Sequence, residues 1–108
     1  MCNDSRFNVY VVRLDDAVLE IPKFAEENSQ YIPGKPCVYV GMTGLTPEER
    51  FANHKRGHQA NKYVKRYGQY LMKRKFRSLN PMEYEDAKRW EEKLAERLRR
   101  RGFAVWQR

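Results

Sequence analysis

At 108 residues the chain can bury one hydrophobic core and has no room for a second functional module. Its 41% apolar content is that of a folded domain, and no apolar run approaches the ~18 residues of a membrane span. The net charge of +8 is the strongest deviation, and it points to a polyanionic partner rather than a membrane.

The start, "MCNDSRFN", lacks the basic-then-apolar pattern of a secretory signal. Cys2 and Cys37 therefore read as reduced thiols of a cytoplasmic protein, Cys37 as a small core residue. "RFNVYVVRL" (6–14) is β-branched and aromatic and predicts the first strand. "PCVYVG" (36–41), bounded by Pro and Gly, predicts the second. Between them, 15–36 is too long for a hairpin loop and carries Asp15, Asp16, Glu20, Glu26 and Glu27. It reads as an acidic surface insertion, with a short helix started by Pro22.

Thr46, Pro47 and Glu49 spell an N-cap, a first helical residue and a capping box, and Gly57 offers a left-handed stop. Arg50 and His54, four apart, then share one helix face. "NKYVKRYG" (61–68) predicts a short helix capped by Asn61, and "QYLMKRKFR" (69–77) a third strand. Asn80 and Pro81 open a long helix over about 82–101. Its inner stripe reads Tyr84, Ala87, Glu91, Leu94 and Leu98, with a carboxylate set among apolar residues. A buried carboxylate is costly without a partner, so Glu91 calls for a metal, an arginine or an open cleft. "GFAVWQR" closes the chain as a short packing strand or tail.

Charge is unevenly distributed. Residues 1–49 hold 4 Lys/Arg and 8 Asp/Glu, whereas 50–80 hold 10 Lys/Arg and no acid. Tyr63, Tyr67, Tyr70 and Phe76 interleave that basic block, a combination suited to phosphate neutralisation with base stacking. Lys55, Arg56, His58, Lys62, Lys65, Arg66, Lys73 and Arg74 are the nucleic-acid-binding candidates, the Lys73 to Lys75 run with a diffuse role only. His54 and His58 also sit four apart, but no CxxC or HExxH spacing supports a zinc site.

Taken together, "NVY" (8–10), "YVG" (39–41), "T-G-x-T-P-E-x-R-x-x-x-H" (43–54) and "A-x-x-x-E-x-x-L" (87–94) resemble the GIY-YIG nuclease family. The resemblance runs from about residue 7 to 101. Asn8 and Val9 stand where the family name has Gly and Ile, and Met42 where some members have a lysine. It implies an α/β fold of α+β type, here a small three-stranded, mainly antiparallel sheet flanked by helices in a single domain over 1–108. It also implies phosphodiester hydrolysis with one divalent metal, Mg²⁺ or Mn²⁺. In that scheme Tyr39 acts as base or activates water, Tyr10 orients the water, and Arg50 holds the scissile phosphate. His54 contacts the phosphate or shares the proton transfer, and Glu91 binds the metal.

Independent chemistry agrees. A guanidinium fork matches the phosphoryl oxygens that gain charge, and hard cations take oxygen ligands. A phenol with pKa near ~10 needs adjacent positive charge to serve as a base. The expected function is a metal-dependent endonuclease, acting on DNA in preference to RNA, selective for structure or a short sequence. A partner protein supplying specificity is a further expectation. The alternative is a non-catalytic nucleic-acid-binding module on the same scaffold.

Overall fold

The computed structural model describes residues 5–107. A four-stranded sheet in the order β3-β1-β2-β4 organises the chain. Strand β1 (Asn8–Leu14) runs antiparallel to β2 (Cys37–Thr43), with Tyr10 opposite Gly41 and Val12 opposite Tyr39. Strand β3 (Gly68–Leu71) adds antiparallel to the outer side of β1, and β4 (Ala104–Gln107) adds parallel to β2. Four helices complete the fold: α1 (Pro22–Glu26), α2 (Pro47–Arg56), α3 (Lys62–Tyr67) and α4 (Tyr84–Arg100).

The sheet thus has four strands rather than three and is mixed, two of its pairs antiparallel and one parallel. The closing segment is the reason: after α4, Gly102 turns at φ 88° and Ala104–Gln107 falls beside β2 in parallel register. A parallel pair needs a crossover connection, and residues 44–103, ending in α4, supply it. The third strand is shorter than 69–77. It stops at Leu71, and Lys73–Lys75 form a 3₁₀ turn. Past that point the side chain of Asn80 replaces a strand on β1. Its amide donates to the Val9 carbonyl at 2.8 Å, and its oxygen accepts the Val9 N–H at 2.9 Å.

Side chains alternate between the two faces of a sheet. Val9, Val11, Val38, Val40 and Val105 share one face, all fully buried under α4. Burying each such side chain contributes roughly 1.5–3 kcal/mol. Tyr10, Val12, Leu14, Cys37, Tyr39 and Trp106 share the other, beneath α1, α2 and α3. There the Phe24 ring of α1 stacks on Trp106 with centroids 6.1 Å apart, and Tyr63 of α3 meets both edge-on.

Segment 15–36 is therefore more than a surface insertion. Val18, in a 3₁₀ turn over Asp16–Glu20, and Phe24 are fully buried. Asn28 locks the segment to β4 by accepting the Val105 N–H at 2.7 Å. Its acidic side chains remain on the outside. Cys37 is a buried core thiol, which burial holds up to about 11, with Asp16 adding to the rise; Cys2 lies outside the described residues.

Candidate active site

Helix α2 forms as its sequence dictates. The Thr46 hydroxyl accepts the Glu49 N–H at 3.1 Å while the Glu49 carboxylate accepts the Thr46 N–H at 3.1 Å, and Gly57 closes the helix at φ 85°. The Thr46 N–H and hydroxyl on the Glu49 carboxylate hold it below the usual carboxylate range. This cap fixes where Arg50 and His54 emerge, one turn apart on the face that meets the tyrosine side of the sheet.

His54 is fully buried. One ring nitrogen, Nδ1, accepts the backbone N–H of Asn61 at 3.0 Å, and Nε2 lies 2.9 Å from the Tyr10 hydroxyl. A backbone amide can only donate, so Nδ1 carries no proton and the neutral ring keeps its proton on Nε2. The imidazole therefore donates to the Tyr10 oxygen. Arg50 and Tyr39 are its other polar neighbours. Burial pushes the Tyr10 phenol far above its ordinary value, and the neighbouring Tyr39 raises it further. Burial, and secondarily Arg50, pulls His54 down to about 4, so this histidine is neutral at physiological pH.

The three rings form one cluster. Tyr10 and Tyr39 centroids are 6.1 Å apart, with His54 at 6.1 Å from Tyr10 and 5.7 Å from Tyr39. Gly41 sits at its base, and a Cβ there would meet the Tyr10 hydroxyl at 2.7 Å and Tyr39 Cε2 at 2.9 Å. The glycine is required by close approach of two rings, not by its backbone angles.

The turn between α2 and α3 clamps both helix side chains through its backbone. Arg50 donates to the carbonyls of His58 at 3.3 Å and Gln59 at 2.9 Å, and Gln59 adopts φ 47°, uncommon for a non-glycine residue. The guanidinium has five N–H donors, and the carbonyls of His58 and Gln59 engage two of them. Donors remain for a phosphate oxygen. Asn61 contributes its amide to His54 while its side chain caps α3.

Glu91 lies on α4, across the sheet from the tyrosines, and is 6% exposed. Its carboxylate accepts from the Gln107 side chain at 3.2 Å, and Gln107 pairs with Val40, next to Tyr39. The carboxylate thus sits where the described part of β4 ends and β2 runs on through Gly41. Among the described residues no three His, Cys, Asp or Glu side chains gather to hold a metal. An oxygen donor set of one carboxylate suits Mg²⁺ or Mn²⁺, which keep several waters, and does not suit zinc.

Tyr10, Tyr39, Arg50 and His54 come together, then, while Glu91 approaches from the opposite layer. His54 stands behind Tyr10, so direct contact with a phosphate is closed to it and proton sharing is not. Asn61, Gln59 and Gln107 belong to this neighbourhood without having been legible in the sequence. Only the Asn61 cap gave a signal, and for a different role. Asn8 donates to the Leu45 carbonyl at 2.9 Å and ties β1 to the turn before α2.

All eight basic candidates are exposed. Several also have structural duties: Lys55 donates to the carbonyls of Lys65 and Gly68, Arg56 to the Asn53 side chain, and Lys73 pairs with Glu48 at 3.3 Å. Lys62 and Arg66 each sit 5.3 Å from the neighbouring ring of Tyr63 and Tyr67. No helix is long and apolar enough to cross a membrane among the described residues. Comparison with protein-family models, with curated proteins and with solved structures gives no significant match.

Proposed function

We propose that this chain is a metal-dependent endonuclease of the GIY-YIG type, cytoplasmic, hydrolysing phosphodiester bonds in nucleic acid, DNA in preference to RNA. The observation that carries the reading is the Tyr10–Tyr39–His54–Arg50 cluster packed on Gly41, beside an acid-free block of ten cations. Arg50, braced by two loop carbonyls, presents its remaining donors to the phosphate and stabilises charge that grows on it. Tyr39, its ring packed beside Tyr10 and His54, is the base toward water, with Arg50 and the metal supplying the nearby positive charge a phenol needs. A divalent ion held by Glu91 would supply positive charge to the departing oxygen. The lysines and arginines of α2, α3 and the 3₁₀ turn bind the backbone on either side.

Labelled single-stranded, duplex and branched DNA, with RNA alongside, incubated with Mg²⁺, Mn²⁺ or EDTA, tests this. Metal-dependent cutting of at least one substrate is expected; cutting that persists in EDTA would remove the metal from the scheme. A second reading, a binding module without catalysis, draws on one observation: Tyr10 and Tyr39 are only 1% and 4% exposed. Salt-sensitive binding with no cleavage of any substrate would favour it.

A further inference from the structure

Strand β3 is one margin of the sheet, and among the described residues its outer side has no strand partner. Tyr70 on it is 53% exposed. Among the described residues its ring stacks on no other ring and has no cation over it. The other strongly exposed tyrosine, Tyr84, already packs edge-on against Phe7 at 5.3 Å.

After Leu71 the chain bends. The Met72 N–H donates to the Val11 carbonyl at 2.8 Å, and the 3₁₀ turn follows. The crook so formed encloses about 390 Å³, lined by Tyr70, Leu71, Met72, Lys73, Arg74 and Lys75. That volume is within the ~300–1,000 Å³ of ligand pockets. Its floor is apolar and its rim cationic. Arg74 is exposed and makes no ion pair among the described residues. Because Met72 lies beside Val11, the crook is level with Tyr10 along the sheet, but Tyr70 pairs with Arg13 and so stands on the α4 face, opposite the tyrosine cluster.

We infer that this crook is a subsite for one unpaired nucleobase, stacked on Tyr70 with its flanking phosphates on Lys73 and Arg74. An open aromatic face beside cations is what single-stranded nucleic acid requires, with phosphate taking the place of Glu48 on Lys73. A base inside a duplex is stacked on both sides and has no face to offer. An acidic peptide would satisfy the cations but leave the ring unused. The inference rests on the nucleic-acid half of the proposed function and not on catalysis. It narrows the substrate class to nucleic acid that carries an unpaired nucleotide.

The test is fluorescence anisotropy in EDTA with a thymidine oligonucleotide, a blunt duplex of two fully complementary strands and poly-glutamate. Wild type, Tyr70→Ala, Tyr70→Trp and Arg74→Gln are compared, with circular dichroism as the fold check. Tyr70→Ala is expected to weaken single-strand binding about tenfold or more and duplex binding less than about twofold. Tyr70→Trp should restore the loss, and Arg74→Gln should lower the salt slope by about one. Equal losses on both nucleic acids, or none from Tyr70→Ala, overturn the subsite while leaving the nuclease reading standing. Wild type that binds only poly-glutamate, or nothing, overturns both.

Discussion

Replacing Gly41 with alanine probes the centre of the site with a single methyl group. The new Cβ would lie 2.7 Å from the Tyr10 hydroxyl, 2.8 Å from Tyr10 Cζ and 2.9 Å from Tyr39 Cε2. Carbon contacts settle near ~3.5–4.0 Å, so each falls short by most of an ångström. Neither ring can retreat freely: Tyr10 is backed by His54, and Tyr39 has the Tyr10 and His54 rings against it. Overpacking of this kind typically costs about 1–3 kcal/mol, and with two enclosed rings displaced the upper half of that range applies. At roughly 4–8 °C per kcal/mol for a domain this small, the melting temperature should fall by about 10–20 °C. Gly44→Ala is the control, because its Cβ meets only the half-buried Phe7 ring, nearest atom at 3.2 Å. It should melt within a few degrees of wild type. Thermal denaturation by circular dichroism reads both. If Gly41→Ala melts like Gly44→Ala, the rings do not pack on this glycine and the site geometry is wrong.

Three further outcomes follow from the same contacts. His54 has its folded value lowered to about 4 from an ordinary 6.5, so the unfolded chain takes up a proton first as pH falls. Stability should be fully present above pH 6.5, decline by about 1.4 kcal/mol per unit below it, and level off near pH 4, roughly 3 kcal/mol lower. Urea denaturation across that window should give His54→Gln a slope smaller by one proton, and an unchanged slope would place the titration elsewhere. Tyr10→Phe leaves the His54 Nε2–H buried without its acceptor, a loss of about 1–3 kcal/mol in urea denaturation; a neutral result would break the chain of donors. Thr46→Ala removes the capping box of α2 and should cost about 1 kcal/mol, measured the same way, with no change if the cap is idle.

Much of the frame was legible because its signals are local. The Thr46–Glu49 box, the Gly57 stop and the Asn61 cap are each written within a few residues, and the structure uses all three. The α4 stripe was legible too, except Tyr84, which begins the helix beyond the edge of the core and stays half-exposed. The parallel pairing of β4 was not legible, because the partner of Val105 is Val38, far away in sequence. The 15–36 segment read as surface because its five acids outnumber Val18 and Phe24, the two residues that bury it. In the site, spacing put Arg50 and His54 on one face. That His54 is internal and neutral depends on the Asn61 amide and the Tyr10 hydroxyl, which only the folded chain delivers.

The most direct test of the central claim compares wild type with Tyr39→Phe, which keeps the ring and removes only the hydroxyl. Single-turnover cleavage of one labelled oligonucleotide in Mg²⁺ is measured beside its binding in EDTA. A base contributes typically 10²- to 10⁴-fold, so the rate should fall at least about a hundredfold while affinity stays within about twofold. Equal cleavage by both proteins, or intact binding with no cleavage by wild type under any metal, would contradict the account.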